Sequence, residues 1–189
     1  MRLHLNKPGI RALGVAESFR AGERKSVLAG VVMRSDLVID GFALGRCSQG
    51  GDDATRSIAA LYRKLRRNDV NLIMVSGAIL SLYNIIDISS LSRSTKVPVL
   101  CLTYKETKGI ESSIIRHFPD SYEDKLTAYR KLGNRTRVKL NSGHVVYARG
   151  EHIETEDVKK VLDTFTLQGS IPEPVRVAKL LARAALRRS

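Results

Sequence analysis

The sequence predicts an α/β domain built on a mixed central sheet flanked by helices. Three observations predict it. Hydrophobic residues make up 43% of the 189 positions, far more than a disordered chain carries. Three strand-type runs come first, and strands and helices alternate after them, an order that lays helices against a sheet containing both strand directions. The 14 Gly and 5 Pro make only 19 residues and form no repeat, which excludes collagen-like and low-complexity chains. The length fits one domain over 1–189, because a single core grows to about 250 residues before chains divide.

Ile10 to Val15 reads as a short strand. Ser26 to Arg34 (SVLAGVVMR) and Leu37 to Leu44 (LVIDGFAL) read as two more, joined at Ser35-Asp36 in a hairpin. A Gly-rich loop, Gly45 to Asp53, leads into a helix over Arg56 to Arg67, where Ile58, Leu61, Tyr62 and Leu65 recur at helical spacing. Asn71 to Val75 is a short apolar run bounded by polar residues, as a fully buried strand requires. Ile79 to Ser94 is helical or mixed, and Val97 to Thr103 is a strand. Gly109 to His117 and Ser121 to Leu132 are helices separated at Pro119. Thr136 to Leu140 and Val145 to Arg149 form a second hairpin. Glu154 to Leu167 is a helix with Val158, Val161, Leu162 and Phe165 on one side and its acids in the first turn, where the helix dipole favours them. Gly169 ends it. Ile171-Pro-Glu-Pro174 opens a last helix running to Arg188, with Val177, Leu180, Leu181, Ala184 and Ala185 as its buried side.

The formal net charge is +13, from 32 Lys+Arg against 19 Asp+Glu. Such a chain attracts polyanions. Two helices concentrate the charge. Arg56, Arg63 and Arg67 fall within about 40° of one another at 100° per residue, opposite the apolar side of the first helix. Arg176, Lys179 and Arg183 share one side of the last helix. Neither stripe contains an acid, so nucleic acid is the expected partner. A membrane is not expected: neither helix carries a Trp or Phe anchor, and no apolar run reaches about 18 residues. The first residues lack a signal-peptide core, and Cys47 and Cys101 form no CxxC or zinc pattern. A cytoplasmic protein is expected.

Three places can carry chemistry. Gly45-Arg-Cys-Ser-Gln-Gly-Gly-Asp-Asp-Ala-Thr55 brings glycines and two carboxylates to a helix start. It is not a P-loop, since no GK[ST] follows. Asp52 and Asp53 would repel a phosphate unless a divalent cation stood between, and Mg²⁺ is commonly held by one or two carboxylates plus substrate phosphates. Equally, Asp53 suits a helix cap with Asp52 in the dipole. Glu17, at the end of the first strand, can join the pair or stand alone on the surface. His144, after the turn at Asn141-Ser142-Gly143, can move a proton near neutral pH.

Taken together, Leu13-Gly-Val-Ala-Glu-Ser-Phe19, Gly50-Gly-Asp-Asp-Ala-Thr55, Val75-Ser-Gly-Ala78, Ser142-Gly-His144 and Ile171-Pro-Glu-Pro-Val-Arg-Val-Ala178 resemble the archaeal family called domain of unknown function ninety-nine. That family is itself similar to endonuclease V. The resemblance runs from about residue 10 to the C-terminus. It implies an RNase H-like fold whose first three strands are antiparallel, and a site where carboxylates bind Mg²⁺ or Mn²⁺ to cut a phosphodiester bond. The match to endonuclease V is incomplete. Its first-strand Asp falls on Ala16, with Glu17 beside it, and adjacent strand residues face opposite sides. Its helix-start acid falls near Asp53. Its buried-strand Asp falls on Ser76, a neutral residue. His144 matches the late His, and Lys105 lies roughly where the nuclease has a lysine. FALGRCSQGG replaces the Pro-Tyr-rich wedge used at the lesion, so deaminated-base recognition does not carry over. Two functions follow. One is a nucleic-acid-binding protein whose ancestral metal-dependent site is incomplete, favoured by Ala16 and Ser76. The alternative is a divergent Mg²⁺-dependent endonuclease acting on DNA or RNA through Glu17, Asp52, Asp53, Ser76, Lys105 and His144. Three converging carboxylates would favour the second, one or two the first.

Overall fold

A computed structural model describes residues 9–106 and 109–187. Its main sheet has seven strands: β1 (Arg11–Ser18), β2 (Lys25–Arg34), β3 (Ile39–Ser48), β4 (Leu72–Ser76), β7 (Val99–Thr103), β8 (Thr136–Lys139) and β9 (Val145–Glu151). Their spatial order is β3-β2-β1-β4-β7-β9-β8. The first three are antiparallel, β1, β4 and β7 run parallel, β9 is antiparallel to β7, and β8 is antiparallel to β9. β4 sits at the centre and is buried except at Ser76, which explains its unbroken apolar run. β3 is an edge strand, with Phe42 and Leu44 exposed.

Among the described residues there are six helices: α1 (Ala54–Lys64), α2 (Ile88–Thr95), α3 (Glu111–His117), α4 (Tyr122–Lys131), α5 (Thr155–Phe165) and α6 (Glu173–Leu186). Strand alternation sorts the core into two layers. Leu13, Val15, Ile73, Val75, Val99 and Cys101 pack with Ile58 and Leu61 of α1 and Leu91 of α2. Ala12, Leu72, Met74, Leu100 and Leu102 pack with Val158, Val161, Leu162 and Phe165 of α5. Ala16 and Val31 meet Ala178 of α6 on that second face. There the helix lies against the strand. A methyl on Gly14 would stand 2.1 Å from the carbonyl carbon of Pro174.

Several sequence expectations need correction. Leu65 and Arg66 leave α1, with Arg66 at φ 49, so Arg67 lies beyond the helix. The stretch from Ile79 to Ser94 is not one helix. It holds a two-stranded hairpin, β5 (Ile79–Leu80) and β6 (Asn84–Ile85), followed by α2. Its connection Ser81-Leu82-Tyr83 runs through three positive φ angles of 41°, 57° and 66°, which no propensity argument from apolar spacing reveals. The buried stripe of α6 is Val175, Ala178 and Ala182, whereas Leu180 is 52% exposed. Close approach at Gly14 admits only small side chains there, so hydrophobic size points to the wrong side of the helix. Arg188, expected to end that helix, lies outside the described residues. Among the described residues no helix is long and apolar enough to cross a membrane.

Candidate active site at the edge of the sheet

The C-terminal ends of β1, β4 and β7 lie along one edge of the sheet. β1 pairs with β2 in regular register through Ser18, with Ala16 opposite Ala29 and Glu17 opposite Leu28. No bulge intervenes, so Ala16 faces α6 and Glu17 faces the α1 side. Glu17 meets the β5–β6 connection there. The Ser81 amide donates to Glu17 Oε1 at 2.6 Å and the Ser81 hydroxyl to Oε2. Ser81 is buried, and its hydroxyl also contacts that of Ser26 at 2.5 Å.

Asp53 joins the same cluster from the start of α1. It holds the N-cap position, yet its side chain makes no cap hydrogen bond. Its carboxylate instead turns back to accept from the Ser48 amide at 3.1 Å, the Ser48 hydroxyl at 2.8 Å, Asn84 Nδ2 at 2.7 Å and the Cys47 thiol at 3.4 Å. Capping passes to the buried Asn84, whose Oδ1 accepts from the Ala54 amide at 2.9 Å. Burial raises the Asp53 pKa, but the hydrogen bonds from Asn84 and Ser48 outweigh it, and the carboxyl is held below its ordinary value. Cys47 lies between the acids. Burial and then the Asp53 charge push its thiol up to about 12, with a smaller push from Glu17. It is a neutral thiol at physiological pH and not a nucleophile.

Glu17 and Asp53 are therefore brought together; the other site expectations are not. Asp52 points away and pairs with the buried Lys125 at 2.8 Å. Lys125 also donates to the carbonyls of Gly51 and Tyr83 and lies 4.7 Å from the Phe118 ring centroid, so this pair ties the glycine loop to α4. Ser76 is on the α5 and α6 face, close to the buried Tyr104 phenol without closing a hydrogen bond to it. Lys105 and His144 are exposed. Glu17 is level with Tyr147 through the β1–β4–β7–β9 register. His144 thus lies about three strand spacings, or about 14 Å, across and about 10 Å along the sheet from Glu17. Its Nδ1 contacts the Ser142 carbonyl oxygen at 3.1 Å.

The basic stripes divide as well. Arg56 and Arg63 are exposed, with no ion pair among the described residues. Arg67 is fixed between Asp40 and Asp69, at 2.9 Å and 2.5 Å. Arg176 pairs with Glu173 three residues earlier at 2.6 Å. The last helix is therefore not free of acids, because Glu173 belongs to its first turn. Lys179 lies over the Tyr104 ring at 5.4 Å, with burial and then Arg183 lowering its pKa. Arg183 is exposed. A groove of about 370 Å³ has Asp53 on its wall together with Arg46, Arg56 and Lys64. Sequence spacing did not single out Arg46, which lies on β3; strand pairing brings it to α1. Asn84 and Ser81 gave no signal either, being isolated polar residues in an apolar stretch.

A resident metal can be tested on this donor set. Among the described residues no three His, Cys, Asp or Glu side chains form a group able to hold a metal ion. Both oxygens of Glu17 and of Asp53 receive protein donors. Two acids bound inward do not fit a divalent ion held by the protein alone.

A sheet with three antiparallel strands, parallel central strands and acids at their C-terminal edge is an RNase H-like fold, the class found in endonuclease V. The TM-score is 0.63 to Ciona intestinalis endonuclease V, solved with a DNA containing an inosine followed by a ribo-adenosine, at 13% identity over 95% of this chain and 87% of that one. A protein of unknown function from Archaeoglobus fulgidus matches with a TM-score of 0.78 and 23% identity, over 95% and 99% of the two chains. A UPF0215 protein of Pyrobaculum aerophilum is 36% identical over 173 residues, 92% of each chain. Residues 8–186 match the endonuclease dU family, and the chain belongs to that family.

Proposed function

We propose that this protein is an endonuclease that cuts DNA at deoxyuridine. The observation that carries the reading is the groove in which Arg46, Arg56 and Lys64 share a wall with Asp53, in a chain whose family name joins endonuclease to dU. The cations attract a phosphate backbone through counterion release. They draw it toward the edge where Asp53 and Glu17 stand. Asp53 stays ionised under the donors around it, while Asn84 fixes both that carboxylate and the first turn of α1. In this reading Glu17, held by Ser81, accepts a proton from an attacking water. Recognition of a deaminated base, which the missing wedge argued against, returns with the family's name.

A nucleic-acid-binding protein without cleavage is the second reading. The neutral Ser76 and the fully buried Ala16 favour it, since neither can supply the acids of the metal site that the resemblance implies. The test is incubation with matched single- and double-stranded DNA carrying deoxyuridine, thymidine or inosine, with Mg²⁺, Mn²⁺ or a chelator. Cutting beside deoxyuridine that Glu17→Gln abolishes supports the endonuclease. Salt-sensitive binding with no cutting under any of these conditions supports the binding protein.

A further inference from the structure

Beside the acids, at the ends of β4 and β7, lies a cavity of about 210 Å³. Gly77 and Ala78 border it after β4, Thr103 at the end of β7, and Tyr129, Arg135 and Arg149 on the other side. No carboxylate lines it. The same Tyr129, Arg135 and Arg149 border a wider cavity of about 590 Å³, whose outer wall carries Glu106 and Glu111.

Arg149 is half-buried on β9. Its Nε donates to the Gly133 carbonyl at 3.0 Å, which fixes the plane of the guanidinium. It makes no ion pair among the described residues. The Arg135 guanidinium lies over the Tyr147 ring, 5.4 Å from its centroid. Burial and then the charge of Arg135 lower the Arg149 pKa, so the two cations interact unfavourably across a partly desolvated space. An anion between them reverses the sign of that interaction. A phosphodiester supplies one negative charge and two oxygens in the fork geometry a guanidinium matches.

We propose that Arg135 and Arg149 seat a backbone phosphate of the bound DNA strand. This rests on the reading that DNA crosses this edge, and it adds a contact separate from the Arg46, Arg56 and Lys64 groove. Thr103 is level with Glu17 in the strand register and two strands away, about 10 Å. The seat therefore lies outside the reacting group. It fixes the register of the strand without taking part in bond cleavage.

The experiment is equilibrium binding of a short single-stranded DNA lacking deoxyuridine, measured by fluorescence anisotropy over a range of KCl. The Arg135→Gln/Arg149→Gln double variant should reduce the slope of log K against log salt by about 0.7, the value for one phosphate on a single strand, and each single Gln variant should show part of that reduction. Arg149→Lys should keep the slope but weaken binding, because the charge stays and the fork is lost. Inorganic phosphate should raise the melting temperature of the wild type more than that of either Gln variant. Unchanged slopes in both Gln variants overturn the proposal, as does equal phosphate stabilisation of all forms. A loss of deoxyuridine cutting with unchanged slopes overturns the seat and leaves the nuclease standing. Full slopes in a wild type that cuts nothing, with reduced slopes in the variants, overturn the nuclease and leave the seat.

Discussion

The two faces of the sheet edge are built from opposite materials. On the α1 side, the Glu17–Ser81 pair and the Asp53–Asn84–Cys47 group are joined through Ser26, whose hydroxyl contacts that of Ser81 and donates to the Cys47 carbonyl. On the α6 side, one residue away along β1, Ala16 lies sealed under Ala178, and Gly14 accepts the backbone of Pro174. A strand places successive side chains on opposite faces. An acid at position 17 and an acid at position 16 would therefore work with different elements. At position 17 it meets a loop rich in donors; at position 16 it would meet a helix packed too closely to admit it.

The largest effects should come from breaking the sealed face. Ala16→Asp places an unpaired carboxylate among buried apolar groups, at a cost of about 3 kcal/mol or more. It does not restore a metal site; a stable variant with new metal affinity would collapse the comparison. Gly14→Ala should cost about 3 kcal/mol by overpacking against Pro174. Urea unfolding reads both, and unchanged midpoints would show that α6 yields easily.

On the polar face, Asp53→Ala should cost about 2 kcal/mol, because Asn84 and Ser48 lose the acceptor they share. Asp53→Asn sharpens this through pH. The folded pKa of Asp53 is lowered, so its contribution is present above the unfolded value near 3.8 and is lost as pH falls through the folded value. The stability of the wild type relative to Asp53→Asn should therefore shrink as pH is taken from about 5 toward 2. A pH-independent difference would mean that the carboxylate is not held by these donors. A smaller effect separates two arginines predicted to act alike. Arg56→Gln should lower the salt slope of duplex DNA binding by about 0.9 with little change in stability, while Arg67→Gln should lower stability and leave the slope. The smallest response belongs to Cys47. With its thiol pushed up to about 12, alkylation of the native protein should be slow at neutral pH and should follow unfolding.

Much of the architecture was legible because strands and helices carry their period in the residues that face the core. NLIMV announced the central strand, and Val158, Val161, Leu162 and Phe165 announced α5. The misjudged parts share a cause. The buried side of α6 depends on how closely Gly14 lets the helix approach, a property of another element. The partners of Arg67 lie at Asp40 and Asp69, and Asp40 is distant in sequence. Of the candidate site, Glu17 and Asp53 were legible as residues. That they share a cluster was not, because Ser81 and Asn84 reach it from a hairpin hidden inside an apolar stretch.

Ser81, Leu82 and Tyr83 take backbone angles that side-chain-bearing residues seldom adopt. Each such residue costs on the order of 1 kcal/mol, and surrounding bonds must hold the connection in place. The Gly50 amide on the Ser81 carbonyl at 2.6 Å is one, and Glu17 is another. The connection is therefore tied at Ser81 from both sides, by Gly50 and by Glu17. Leu82, 46% exposed at the tip, is thus held out on backbone already fixed during folding, and any ligand that reached it would order little of that loop.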